Sequence, residues 1–546
     1  MSTVLQRVAR VFLCVIVFAL PTLTSNAGVD SASGSGPIVD LGYAQYQGTV
    51  NATTNITTFL GVRYAAPPTG SQRWRAPQSP EFTPGIQQAN AFQAGCIEAG
   101  MGVSPTDPPL MKKRQAAPSA SEDCLFLDVY VPGSTLQVNL PVIVWIHGGG
   151  YVADTANAYD GTVVLQESDN SVILVSIEYR LGLFGFLAGT EVKKNGGLNA
   201  GLLDQNFALQ WVQEHISSFG GDPSKVTIWG QSAGAGSVLQ HIVAHGGRTE
   251  PQLFRAGITS SSFLPSQYNF DDEVPEALYS EVVAQANCSG NNDTLSCLRG
   301  VDVGTLEGIN VNINEAGFFG TFVFVPVVDG SFIVERPTVT LARGDVNGEF
   351  ALSITNAFEG ESFVNASQPE TGNTTLYISE LFPFLGQAQI EQGVALYAQT
   401  GGTTLDQVIG IMGESIFICP TYFLLRAFNG RAHKGEFAIP PGTHGVDVSY
   451  YFPSRTGLPS PPFNNVSFIK SFSQSFDSFA IALNPNAKFD SQDITPAWAA
   501  WTDANPTEML FNATANGDPN IHAFMTDQAL LERCAFWESV GDQTAQ

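Results

Sequence analysis

A serine held between two glycines, in Gly230-Gln231-Ser232-Ala233-Gly234, is the residue of this 546-residue chain best suited to attack a substrate. The β-branched run Lys225 to Trp229 precedes it, and Ala235, Val238, Leu239, Ile242 and Val243 follow at helical spacing up to Gly246-Gly247. That order predicts strand, sharp turn and helix, with Gly230 and Gly234 small enough to let strand and helix approach closely and lift the Ser232 hydroxyl clear of the sheet. A serine hydroxyl is a poor nucleophile at neutral pH, so it needs a base to take its proton and an acid to orient that base. In a turn of this kind the partners follow in the order serine, acid, histidine. His147, His215, His241 and His245 precede or crowd the turn, which leaves His433, His444 and His522. His444 lies among turn residues in Pro441-Gly442-Thr443-His444-Gly445 and is the candidate base. His433, beside Arg431 and Lys434, reads as a solvated surface residue, and His522 as part of a polar loop. The strand-like run Phe350 to Thr355 leads into Asn356-Ala357-Phe358-Glu359-Gly360-Glu361, where Glu359 is the candidate acid and Glu361 its competitor.

Attack on a carbonyl places negative charge on its oxygen, and backbone N–H groups must be waiting for that charge. His147-Gly148-Gly149-Gly150-Tyr151 supplies Gly149 and Gly150 as candidate oxyanion donors, with Ala233 as a third. This chemistry calls for no cofactor and no metal.

The elements that must position these groups alternate as strand and helix. Pro141 to Ile146, Ser171 to Ser176 and Lys225 to Trp229 are apolar strands of the kind buried on both faces, and Leu203, Phe207, Trp211, Val212, Ile216 and Phe219 mark an amphipathic helix. The fold class is therefore α/β, an open and mostly parallel sheet covered by helices, with ligands bound beyond the carboxyl ends of the strands. Thr57 to Tyr64, Phe322 to Pro326 and Val448 to Phe452 also read as strands; Ile390 to Tyr397, Thr421 to Phe428 and Asp527 to Trp537 read as helices. Gly28 to Gly36 reads as mobile and Asp271 to Asn314 as a loop-rich insertion. No linker or repeat divides the chain, so residues 28–546 form one large expected unit.

A net charge of -26 excludes nucleic acid as a partner, because an acidic surface repels phosphates. Residues 1–27 read as a secretory signal: Arg7 and Arg10, then the apolar Val11 to Leu20, then Ser25-Asn26-Ala27. No later stretch reads as a membrane anchor. The chain is expected to be extracellular, acting on a small-molecule or lipid ester, with its oligomeric state open. Acceptor sequons at Asn51, Asn55, Asn287, Asn292, Asn365, Asn373, Asn465 and Asn512 fit that route. Cys96, Cys124, Cys288, Cys297, Cys419 and Cys534 remain after the signal, an even number that argues for disulfides without choosing their pairing. None lies at Cys-x-x-Cys spacing, which disfavours a metal. Lys112-Lys113-Arg114 is a basic triplet on a Pro/Ser-rich loop, solvated or open to a dibasic-cutting protease.

With these residues in view, the chain resembles the type-B carboxylesterase/lipase family, the cholinesterase-like branch of the α/β-hydrolases. The resemblance is carried by Gly61-Val62-Arg63-Tyr64-Ala65-Ala66-Pro67-Pro68, Ser121-Glu122-Asp123-Cys124-Leu125, His147 to Gly150, Glu178-Tyr179-Arg180, Gly201-Leu202-Leu203-Asp204-Gln205, Phe219-Gly220-Gly221-Asp222-Pro223 and Gly230 to Gly234. It implies Ser232 as nucleophile, Glu359 as acid, His444 as base and Gly149, Gly150 and Ala233 as oxyanion donors. It also implies the bridges Cys96–Cys124, Cys288–Cys297 and Cys419–Cys534, and the structural ion pairs Arg73–Glu122 and Arg180–Asp204. Two departures stand out: Gln231 replaces a common glutamate before the nucleophile, and Glu178 replaces the usual asparagine before Tyr-Arg. The loop from Cys96 to Cys124 holds no aromatic residue, unlike the choline-cleaving relatives, whose tryptophan there binds a quaternary ammonium. Its Met101, Val103, Leu110 and Met111 suit a small flap. The implied activity is carboxylic-ester hydrolysis through an acyl-enzyme. A lipase or sterol esterase is the alternative, with Phe184, Phe186, Phe263, Phe318 and Phe319 as acyl-pocket candidates. A non-catalytic binding module is a third reading, opposed by the retained Ser232, Glu359 and His444.

Overall fold

The computed structural model describes residues 33–104, 120–455 and 460–546. The expected signal at 1–27 and the triplet Lys112-Lys113-Arg114, with Leu110 and Met111, lie outside the described residues. Thirteen strands form one sheet: β1 (Ser33–Asp40), β2 (Gln45–Asn51), β3 (Ile56–Arg63), β4 (Ile86–Gln88), β5 (Phe126–Pro132), β6 (Leu140–Ile146), β7 (Ile173–Ile177), β8 (Gly221–Gln231), β9 (Ala256–Ser260), β10 (Phe350–Asn356), β11 (Ala432–Phe437), β12 (Thr507–Ala513) and β13 (Pro519–Met525). Their spatial order is β1-β2-β3-β5-β7-β6-β8-β9-β10-β11-β12-β13, with β4 alongside β2. From β7 to β12 all neighbours are parallel; β1, β2, β3 and β5, and the β12–β13 pair, are antiparallel. The α/β class holds, with the long parallel part in the middle and one short parallel pairing, β4 with β2, towards the edge.

Alternation along the strands explains why this middle is buried twice. On β6, Val142, Val144 and Ile146 join the core of one face, while Ile143 and Trp145 join that of the other. The first face is covered by helices Ala200–His215 and Ala233–Gly247 through Leu202, Leu209, Val212, Val238, Leu239 and Ile242. Helix Val466–Ala482 covers the second face, setting Phe468, Phe472, Phe476 and Phe479 on a row of buried aromatics. Trp229 stacks on Phe476 with centroids 4.7 Å apart and meets Trp145 edge-on at 5.3 Å. Burying each such ring contributes about 2–3 kcal/mol.

Several local expectations change. Ser33 to Gly36, the described part of the stretch Gly28 to Gly36 expected to be mobile, lies in strand β1 because β2 offers it a backbone partner. Asp271 to Asn314 is mostly helical, with helices at Glu273–Gln285, Thr294–Arg299 and Val303–Glu315. Val448–Tyr451 is a short helix, with Tyr450, Tyr451 and Phe452 all buried. Phe322 to Pro326 joins no strand and instead walls a cavity. His433 is buried on β11, and its neighbour Lys434 is fully buried in an ion pair with Glu508 at 3.0 Å, so neither is a solvated surface residue. His522 sits on the exposed strand β13. Thr404–Phe428 is long and apolar enough to cross a membrane, which the sequence reading overlooked; 83% of its most apolar window is buried within the protein, as in a core helix.

Among the described residues three disulfides form, Cys96–Cys124, Cys288–Cys297 and Cys419–Cys534. Arg73 grips Glu122 with two hydrogen bonds of 2.5 and 2.7 Å, and Arg180 holds Asp204 likewise at 2.6 and 2.7 Å. Arg73, Arg180 and Asp204 are buried and the Glu122 side chain nearly so, so removing one partner would strand the other charge largely away from water.

Buried ionisable groups set the pH dependence of stability. Burial raises Asp128 to about 7, Glu178 to about 8 and Asp447 to about 6. These acids keep protons that the unfolded chain releases, so their contribution is complete below the ordinary carboxylate range and is lost as pH rises through 6 to 8. Burial lowers His147 to about 4, His241 to about 3 and His433 to about 4. Their contribution is complete above the ordinary histidine value and is lost as pH falls through 4 to 3. The thermal midpoint is therefore expected to peak at roughly pH 5–6.5 and to fall on both sides. A midpoint that climbs steadily from neutral into alkaline pH in a scanning-calorimetry series would contradict this.

Candidate active site

Strand β8 ends at Gln231, and the chain turns through Ser232 into helix Ala233–Gly247. Ser232 has φ 57° and ψ -125°, a conformation that costs a non-glycine residue on the order of 1–3 kcal/mol and persists only where the surroundings enforce it. Its N–H donates to the Ser260 carbonyl at 2.9 Å and its carbonyl accepts from the Gly236 N–H at 2.8 Å. A Cβ on Gly230 would collide with the backbone of Gly234, and one on Gly234 with the Ile146 carbonyl.

The strand ends bring three side chains together across the sheet. Ser232 Oγ–H donates to His444 Nε2 at 2.9 Å, and His444 Nδ1–H donates to Glu359 Oε2 at 2.6 Å. This tautomer follows from Glu359, which as a carboxylate offers Nδ1 only an acceptor. Glu359 is buried just past the end of β10, and its Oε1 accepts from the Asn356 N–H at 2.6 Å and the Ser261 hydroxyl at 2.7 Å. Asn356 Nδ2 donates to Ser261 Oγ at 3.1 Å and to Asp447 Oδ1 at 3.0 Å, tying the acid's loop to the histidine's loop. Burial, with Glu359 nearby, raises Asp447. Sequence reading missed Ser261, Asn356 and Asp447; the only signal was that Asn356 and Asp447 each stand three residues from a chosen one. The competitor Glu361 is exposed in the short turn Glu359–Phe363. His433 pairs with Leu352 on β10 near the start of that strand, away from the end that carries Glu359.

The glycine loop follows β6, next to β8. Gly149 and Gly150 have φ of 86° and 65°, and a Cβ would strike the Ala153 carbonyl at the first and the Phe322 ring at the second. Neither N–H donates to an acceptor among the described residues. Ala233 is the first residue of its helix, so its N–H has no acceptor one turn earlier.

Gln231 Nε2 lies 3.2 Å from His444 Nε2, the nitrogen that accepts the hydrogen bond from the Ser232 hydroxyl. A neutral amide does little for a protonated imidazole, whereas a carboxylate there would stabilise it. Gln231→Glu is expected to move the acid limb of the kcat profile to higher pH by about one unit. An unchanged pH–rate profile would show that this position does not act on His444.

Aromatic side chains frame the imidazole: Phe417 lies 4.6 Å and Phe363 5.0 Å from the His444 ring centre. Phe417 belongs to the π-helical turn Glu414–Ile418 within the long core helix. Pro420 just beyond it has no N–H to give to residue 416, which favours the wider turn there. Phe417 and Phe322 also wall an apolar cavity of about 330 Å³ that Phe186, Phe263, Phe318 and Met412 help line. Of the acyl-pocket candidates, Phe184 and Phe319 do not line it.

The profile of the family described as "Carboxylesterase family" matches residues 35–537. The chain is 36% identical over 318 residues to "Secreted lipase 1" of Botryotinia fuckeliana, a match that spans about half of each protein, 54%. It is 30% identical over 489 residues to "Secreted lipase" of Arthroderma benhamiae, covering 86% of this chain and 91% of that one. Its fold superposes on the crystal structure of Aspergillus niger EstA with a TM-score of 0.83 at 30% identity, covering 94% of this chain and 99% of that one. A family match over nearly the whole described chain, on a sheet that superposes at this level, means that this protein belongs to the carboxylesterase family, the serine hydrolases of carboxylic esters.

Proposed function

We propose that the protein is a secreted esterase in which Ser232 attacks the ester carbonyl, His444 takes the serine proton and returns it to the leaving alcohol, and Glu359 holds His444 in the receiving tautomer. The observation that carries this reading is the unbroken hydrogen-bonded series Ser232–His444–Glu359 at the carboxyl ends of the strands. Gly149, Gly150 and Ala233 are read as the donors to the developing oxyanion, each worth on the order of 10²–10³ in rate. Secretion is supported by the pattern of residues 1–27, by three disulfides and by similarity to proteins named secreted lipases, with residues 28–546 as the mature catalytic unit.

The apolar cavity beside His444 is read as the acyl site. Its roughly 330 Å³ would take about ten methylenes if each occupies about 30 Å³, the share of a water molecule. Hydrolysis of aryl esters is therefore expected to rise in kcat/KM from acetate to a maximum at about ten acyl carbons, then to level or fall. Aryl esters from two to about eighteen carbons, a triglyceride emulsion and a sterol ester form the test set, with Ser232→Ala as control. A maximum at acetate would reject the cavity as acyl site. Activity on none of the esters would reject the enzyme reading.

A further inference from the structure

Glu178 is fully buried beneath the glycine loop, and the chemistry described above makes no use of it. One oxygen, Oε1, accepts from the Thr155 hydroxyl and from the Ala156 N–H at 3.0 Å, at the far end of the loop that begins at His147. The other, Oε2, faces His147 Nε2 at the near end across 3.7 Å, just beyond hydrogen-bond length, and neither of these two buried atoms has a hydrogen-bond partner among the described residues. His147 Nδ1–H donates to the Gly148 carbonyl at 3.2 Å, which leaves the lone pair of Nε2 facing Glu178. Tyr179 completes the support: its ring stacks on His147 at 4.4 Å and its hydroxyl donates to the His147 carbonyl at 2.9 Å. Between the two ends lie Gly149 and Gly150, with the Gly149 carbonyl accepting from Val152 and Ala153 at 3.0 Å each.

We propose that Glu178, in its protonated form, is a positioning residue for the oxyanion hole, clasping the loop 147–156 at both ends so that the Gly149 and Gly150 N–H groups stay aimed at the substrate oxygen. The inference rests on the reading of those two glycines as oxyanion donors. The protonated carboxyl can donate from Oε2 toward His147 Nε2 while Oε1 goes on accepting; an ionised carboxylate has nothing to give a neutral imidazole. Burial raises Glu178 to about 8 and lowers His147 to about 4, so the single proton of the pair rests on the glutamate at neutral pH. The surrounding charges favour the same state. Asp128 on β5 and Asp154 in the loop both oppose ionisation of Glu178. The nearby cation Arg455 is engaged by Asp154 at 2.7 Å, and the Asp154 N–H is held by Glu98 at 2.8 Å. As pH rises through about 8 the clasp is expected to open at the His147 end and kcat to decline.

The test compares the wild type with Glu178→Ala, Glu178→Gln, Thr155→Val and Ser232→Ala, using hydrolysis of an aryl butyrate and inhibition by an alkyl trifluoromethyl ketone, whose adduct carries an oxyanion. Glu178→Ala is expected to lower kcat and ketone affinity together by ~10–100-fold with KM within ~2-fold, approaching the loss of one donor. Glu178→Gln keeps both an acceptor and a donor but cannot ionise; it is expected to stay within ~3-fold of wild type at neutral pH and to lose the alkaline decline. Thr155→Val removes the hydroxyl that donates to Glu178 at the far end, together with the 3.3 Å bond it accepts from the Asn157 N–H, and is expected to lower kcat by ~3–10-fold, a second readout should Glu178→Ala fail to fold. The proposal is overturned if the alanine and valine variants keep kcat and ketone affinity within ~2-fold, if the loss falls on KM alone, or if glutamine is as damaging as alanine. A wild type that does not bind the ketone, or a Ser232→Ala enzyme that keeps its activity, would remove the underlying catalytic reading as well; the Glu178 results alone remove only the clasp.

Discussion

Ser232→Ala is expected to lower kcat by on the order of 10⁴–10⁶-fold with little change in KM. The side chain lost is the one that would bond covalently to the acyl group, and no neighbouring hydroxyl stands in for it. Ser260, Ser261 and Ser262, at the end of the adjacent strand β9, are buried, but Ser261 is committed to Glu359 and Ser262 to Thr259. The fold should survive, because the Ser232 hydroxyl bonds only to His444 and alanine adds no atom to a crowded turn. What activity remains would come from the oxyanion donors acting on water, the part of catalysis that does not need the nucleophile. The measurement is a steady-state assay on an aryl ester alongside circular dichroism of both proteins. A folded variant within ~10-fold of wild type would remove Ser232 from the mechanism.

Replacing Glu359 by glutamine tests a different link, the tautomer of His444. The carboxylate presents two acceptors, one to His444 Nδ1–H at 2.6 Å and one to the Asn356 N–H and the Ser261 hydroxyl. An amide has one oxygen and one NH₂ group, so it cannot satisfy both sides. If its oxygen keeps Asn356, its NH₂ faces Nδ1 and drives the proton to Nε2, where the imidazole can no longer accept from Ser232. If its oxygen keeps His444, two donors are pressed together in a buried site. Glu359→Gln is therefore expected to cost on the order of 10³–10⁴-fold in kcat while KM changes little. A loss under ~10-fold in a folded protein would mean that Glu359 does not set the imidazole. The same replacement at the exposed Glu361 is expected to leave kcat within ~2-fold.

Much of this was legible in one dimension because the chemistry is concentrated in short runs. Gly230 to Gly234 declares a crowded turn through glycines that only a close backbone approach requires, and His147 to Gly150 declares a loop with free N–H groups. Strand runs such as Pro141 to Ile146 were legible because burial on both faces leaves no polar alternation to confuse them. The failures have physical causes too. Val448 to Phe452 is uniformly apolar, and periodicity cannot separate a strand from a helical turn when every side is buried. His433 reads as solvated because its neighbours Arg431 and Lys434 are charged and charge suggests water; the partner that lets Lys434 be buried, Glu508, lies on a strand 74 residues further on. Thr404–Phe428 escaped notice as a long apolar helix because the polar Thr404, Asp406 and Gln407 at its start and the π-helical turn within it blur its pattern.

The sequence by itself determined the reaction class, the α/β sheet and the identities of Ser232, Glu359 and His444 as candidates, because nucleophile, acid and base each leave a local signature of neighbours and the order along the chain is constrained by topology. Only the tertiary structure decided how these groups are held. The bond from Ser261 to Glu359, the aromatic frame of Phe363 and Phe417 around His444, and the place of Glu178 under the glycine loop all join residues that lie tens of positions apart in the chain. Contacts of that range follow from how strands order themselves in the sheet, a cooperative outcome of packing that no local spacing records.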